Sequence, residues 1–95
     1  MAIYKSFRVR ALEPWYQLPK EEQDNLLRKF EEARAQAGGK LIVYCQSGWA
    51  NEKWHFFGID EYPDIEAVRR HRELLDEFDS SRYVESETLL GTEVK

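Results

Sequence analysis

Two short runs, KLIVYCQ at residues 40–46 and WHFFGID at residues 54–60, are apolar on both of the faces a strand presents. Leu41, Val43 and Cys45 alternate with Ile42 and Tyr44, while Trp54 and Phe56 alternate with His55, Phe57 and Ile59. A strand with one wet side shows polar residues at every second position, and these do not. The sheet they join therefore needs cover on two sides. The flanking segments supply helices for one side only, so the other cover has to come from a partner.

The flanking segments read as follows. Residues 2–12, AIYKSFRVRAL, have period two: Ile3, Phe7, Val9 and Ala11 point one way with Lys5 as the exception, and Tyr4, Ser6, Arg8 and Arg10 point the other way. Pro19, followed by Glu21 and Glu22 at the positive end of the dipole, opens a helix whose apolar positions are Leu26, Phe30, Ala33 and Ala37. Gly38 and Gly39 end it. SGWANEK connects the two apolar strands, Pro63 and Asp64 open a second helix running to about Phe78, and DSSR turns the chain into a last strand, YVESETLLGTEV. The order is βαββαβ, an α+β plan of ferredoxin-like type: one domain over residues 1–95, a four-stranded antiparallel sheet, both helices on one face, and the first and third strands central. A homodimer packed sheet to sheet covers the open face. On that face the charges of Arg8 and Arg10 are expected to pair with Glu85 or Glu87 of the last strand.

Composition narrows the class. Ninety-five residues with a net charge of −4 and a pI near 5.2 carry no basic block, which argues against nucleic-acid binding. The lone cysteine, Cys45, excludes an internal disulfide and sits as an inert residue in an apolar strand. Lys5, Arg8 and Arg10 interrupt the start of the chain, so no signal-peptide stretch is present, and no apolar run reaches the ~18 residues of a membrane span. The expected setting is cytoplasmic.

The strand order, the length, the Trp-containing third strand, the helix entry YPDIEAVRRHRELL and the terminal LLGT together resemble the dimeric α/β-barrel superfamily, nearest to an uncharacterised branch of it. The resemblance covers essentially the whole chain. It implies a small dimeric barrel protein that binds or transforms a small aromatic or hydrophobic compound without a bound cofactor, as monooxygenases, isomerases and polyketide cyclases of this superfamily do. A non-catalytic binding or interaction module is the alternative. A haem-binding or haem-degrading protein is the second alternative: the superfamily's haem degraders use a helix histidine with an asparagine and a tryptophan, and this chain has His71 and tryptophans but Ser6 and no asparagine in its first strand.

The residues singled out are few. On a helical wheel His71 falls in the apolar stripe of Val68, Leu75 and Phe78 and points at the sheet, where it is either a hydrogen-bonded core histidine or an acid–base catalyst. Trp15, Tyr16, Tyr44, Trp49, Trp54, His55 and Phe57 are the candidates for contact with substrate; Trp15, Tyr16 and Trp49 lie at connections, where aromatics serve either a dimer interface or the mouth of a pocket. Two histidines on separate elements without a carboxylate at ligand spacing give no metal site. The pocket is expected between sheet and helices.

Overall fold

A computed structural model describes residues 1–95. The elements are β1 (Ile3–Ala11), a one-turn helix α1 (Glu13–Tyr16), α2 (Lys20–Gln36), β2 (Lys40–Gln46), β3 (Phe56–Tyr62), α3 (Ile65–Glu77), a 3₁₀ turn at Ser80–Arg82 and β4 (Val84–Gly91). All neighbours in the sheet are antiparallel and the strand order is β2-β3-β1-β4. The chain has the expected ferredoxin-like α+β fold, with β1 and β3 central. No helix is long and apolar enough to cross a membrane.

Local sequence explains the boundaries. Asp64 caps α3 by accepting a hydrogen bond from the Ala67 N–H at 2.9 Å. α2 starts right after Pro19, with Glu21 and Glu22 in its first turn, and is closed by Gly38 at φ +83°, a conformation that L side chains disfavour. β3 begins two residues later than the sequence pattern indicates. Trp54 instead hangs its main-chain N–H on Asn51 Oδ1 (2.7 Å), and the Asn51 side chain holds the end of the long connection.

The core sits at one end of the helix-covered face. Ala33 and Ala37 of the α2 end, Tyr62 of β3, and Ala67, Val68, Leu74 and Leu75 of α3 form it, with Ile3, Phe30 and Phe78 packed around them. The two alanines let α2 approach closely enough for Tyr62 to be fully buried.

The register sorts every strand residue to a face. Ile3, Lys5, Phe7 and Val9 pair with Tyr62, Asp60, Gly58 and Phe56 on the helix side; Tyr4, Ser6 and Arg8 pair with Glu61, Ile59 and Phe57 on the open side. Arg8 and Arg10 stand opposite Glu87 and Glu85, with ion pairs of 3.7 and 3.1 Å, as the charge pattern suggested. A β-bulge between Leu41 and Val43 changes the expected alternation in β2. Leu41 joins Tyr44 on the helix side, while Val43 and Cys45 lie with Ile59 and Phe57 on the open side. The open face thus carries Val43, Phe57, Ile59 and Leu89, all exposed.

Candidate functional site

On the helix side, the central strands are only partly covered. Phe7, Val9 and Phe56 keep partial exposure in mid-sheet, and Tyr44 is 51% exposed. These aromatics form a row across three strands: the Phe7 and Tyr44 centroids are 6.0 Å apart, and Tyr44 stacks on Phe56 at 5.4 Å with an interplanar angle of 16°. Gly58 makes the row possible. It lies between Phe7 and Tyr44 in the register, and a Cβ there would stand 2.7 Å from the Phe7 ring. Without a side chain on Gly58, the Phe7 ring reaches over β3 towards β2.

Two residues along β1 from Phe7, on the same face, the row meets a buried polar cluster. Lys5, Asp60 and His71 are each less than a tenth exposed, although all three are ionisable. Lys5 Nζ lies 3.1 Å from His71 Nδ1, and the Tyr62 hydroxyl lies 2.9 Å from the same nitrogen. Tyr62 donates to Asp60 Oδ2 at 3.1 Å. Arg34 Nε stands 3.0 Å from Asp60 Oδ1 as an ion pair, but out of line for a hydrogen bond.

Lys5 and Tyr62 both reach Nδ1, and the place of the imidazole proton follows from which contact is made. A bare Nδ1 accepts from the Lys5 ammonium, a charge-assisted hydrogen bond about twice as strong as a neutral one, whereas a protonated Nδ1 donates to the Tyr62 oxygen, whose own proton goes to Asp60. Burial, together with the cations Lys5, Arg34 and Arg72, lowers the His71 pKa to about 3. Burial also lowers Lys5, opposed in part by Asp60 across the strand. Asp60 itself is raised by burial, against the pull of Arg34, Tyr62 and Lys5.

The candidates named from the sequence do not gather in one place. Tyr44 lies on the helix side of β2, paired with Gly58, whereas Phe57 points from the opposite face of β3, because neighbouring residues of a strand face opposite ways. Trp54 is buried, with the Lys53 ammonium 4.9 Å from its ring. His55 is structural in its contacts: its Nδ1 accepts from the Ala11 N–H at 3.1 Å, and its own N–H donates to Val9 O, tying β3 to the end of β1. Trp15 lies half-buried in α1, whose Trp15 carbonyl accepts from Gln23 Nε2 at 2.9 Å, and Tyr16 beside it is 61% exposed. Trp49 is 84% exposed in the β2–β3 connection, its indole N–H donating to Gln46 O. His71 points at the sheet as the wheel requires, with Lys5 and Tyr62 at Nδ1 and its pKa lowered to about 3 by burial and the neighbouring cations.

Between sheet and helices Lys5, Tyr62 and His71 are all buried. Two clefts lie elsewhere: one of about 260 Å³ between α2 and the Phe78–Tyr83 segment, one of about 220 Å³ between Tyr4 and the chain ends. No group of three or more His, Cys, Asp or Glu residues is gathered as a metal site.

Lys5, Asp60, Arg34 and Tyr62 were missed by the sequence pattern. One signal was there: Lys5 is the single charge on the apolar side of β1, and Asp60 ends the apolar run of β3.

Comparison with known proteins places the fold. No protein-family model matches the chain, and no curated protein does. Among solved structures, it is similar to a candidate chlorite dismutase (TM-score 0.78, 20% identity, 100% of this chain and 46% of the other). It is also similar to a haem-binding protein from Thermus thermophilus (TM-score 0.75, 17% identity, 95% and 39%). A third match is RPA0582 from Rhodopseudomonas palustris, a protein of unknown function (TM-score 0.66, 21% identity, 99% and 83%). The chain spans less than half the length of the first two. At these identities the likeness is one of fold, the ferredoxin-like α+β arrangement.

Proposed function

We propose that this chain works as a homodimer, joined through its open sheet face, that binds a small planar aromatic or hydrophobic compound along the Phe7–Tyr44–Phe56 row without a bound cofactor. One observation carries this reading: an aromatic row left part-exposed across β1, β3 and β2, where a closed core would bury it. In this reading Tyr44 and Trp54 keep the substrate-contacting role assigned from sequence, and Phe7 and Phe56 join them. Phe57 belongs to the dimer face. The lowered pKa of His71 favours a binding role over acid–base turnover.

The haem reading draws its support from the fold likeness to a haem-binding protein and a candidate chlorite dismutase. The residues at His71 do not fit that group. A metal-bound histidine gives its other N–H to a carboxylate, carbonyl or water; here Nδ1 faces the Lys5 ammonium, and the ring is less than a tenth exposed.

A single experiment separates the readings. Tryptophan fluorescence is followed while small phenols, quinones, lactones and haem are titrated in. Quenching by a planar organic compound, lost in Tyr44→Ala with Phe56→Ala, is the expected result. A stoichiometric haem complex whose Soret band changes in His71→Ala would overturn the cofactor-free reading.

A further inference from the structure

The cleft of about 260 Å³ between α2 and the Phe78–Tyr83 segment lies apart from the aromatic row. Its apolar side is Leu18, Leu26, Phe78 and Tyr83. Its polar side is Glu22, Asn25 and Lys29, which fall with Leu26 on one face of α2 at i, i+3, i+4 and i+7. Lys29 differs from the other helix cations. Lys20, Arg28 and Arg34 on α2 and Arg69, Arg70 and Arg72 on α3 each reach an acid or amide oxygen. Lys29 reaches none, and its ammonium lies 6.0 Å from the centre of the Phe78 ring. Arg82 repeats the pattern at the other aromatic wall, unpaired and 5.8 Å from the Tyr83 ring. Two unpaired cations against the single carboxylate of Glu22 leave the cleft positive, in a chain whose net charge is −4.

We infer that this cleft binds a short aliphatic carboxylate, its alkyl chain against Leu18 and Leu26 and its carboxylate on the Lys29 ammonium. The rings select an alkyl chain over a planar guest. Phe78 is engaged by Lys29 and by Phe30, which stands perpendicular to it at 5.2 Å, and Tyr83 is engaged by Arg82. Volume sets the length: about 260 Å³ falls below the ~300 Å³ at which pockets for drug-sized ligands begin, so the chain has only a few carbons. Charge sets the direction. Glu22 and Lys29 stand seven residues, or about 10 Å, apart along α2, so an anion is repelled at the first and drawn to the second. The apolar tail then lies towards Leu18, which precedes the helix at the Glu22 end. This site is separate from the aromatic row and stands or falls without it.

The test uses two probes with the same chain, sodium hexanoate and neutral 1-hexanol, titrated into wild type and Lys29→Met. Binding is followed through the main-chain ¹⁵N–¹H signals of Leu26, Lys29 or its replacement, Phe78 and Tyr83. Lys29 is exposed, and methionine keeps an apolar stem beside Phe78 while removing the charge, so the variant should fold as wild type does. Hexanoate should shift these signals saturably and bind wild type about threefold or more tightly than hexanol, the scale of one solvent-exposed ion pair. In Lys29→Met the two probes should bind equally. Equal binding to wild type overturns the carboxylate site, and so does an advantage for hexanoate that survives in Lys29→Met. Shifts that do not saturate with either probe overturn the cleft as a binding site.

Discussion

At His71 one ring nitrogen serves two neighbours, and its titration is coupled to folding. The unfolded chain protonates this imidazole near pH 6.5, but the folded chain does so only near pH 3, because burial and the facing cations Lys5, Arg34 and Arg72 oppose a further charge. The folded form therefore binds fewer protons throughout that interval. This contribution to stability is complete above pH 6.5 and is lost as pH falls, with a slope of up to about 1.4 kcal/mol per unit. Asp60, raised by burial, works in the opposite sense, so the loss is read in the window just below pH 6.5 and against a variant that keeps Asp60. Urea unfolding across that window should show stability falling with acid in wild type and a flat profile in His71→Gln. The variant should also lose about 1–3 kcal/mol at pH 7, because the Lys5 and Tyr62 partners are disturbed. An unchanged slope in the variant would place the titration elsewhere. Helical period alone brought His71 to the sheet. Its partners were not legible, because Lys5, Asp60 and Arg34 lie on three different elements and only the register brings them together.

The strands and helices were legible because each has a local signature: period two in β1, the Pro19 and Asp64 starts, and the Gly38 stop. Two features were not. The bulge in β2 comes from the pairing of β2 with β3 and leaves no mark in KLIVYCQ, yet it decides that Leu41 and Tyr44 share a face. The aromatic row depends likewise on which residues of three strands come level, and it turns on Gly58. Alanine at this position would put its Cβ 2.7 Å from the Phe7 ring and 2.5 Å from Val43 O, a backbone atom that cannot rotate away. Gly58→Ala is expected to cost about 1–3 kcal/mol in urea unfolding, as overpacking does, and to separate Phe7 from Tyr44. Near-ultraviolet circular dichroism should register the lost ring contact. A variant of wild-type stability with an unchanged aromatic spectrum would mean that the row does not depend on this glycine.

For the whole molecule, the open face decides the assembly. Its β2–β3 half carries Val43, Cys45, Phe57 and Ile59, and its β1–β4 half carries the paired charges Arg8–Glu87 and Arg10–Glu85 with Leu89, which is 74% exposed. The ion pairs satisfy their charges within the chain, so they leave the apolar half free to be covered without an unpaired charge. A two-fold axis near β3 would bring the apolar half of one protomer onto that of its partner, an interface in which the same patch is used twice. Sedimentation at micromolar concentration should therefore give twice 11.3 kDa. Phe57→Glu puts a charge in the middle of that patch but touches neither the core nor the aromatic row, which lie on the other side of the sheet. The variant should sediment as a folded monomer with a native far-ultraviolet spectrum. A wild type that stays monomeric at this concentration sinks the dimer, and a dimeric Phe57→Glu moves the interface off this face.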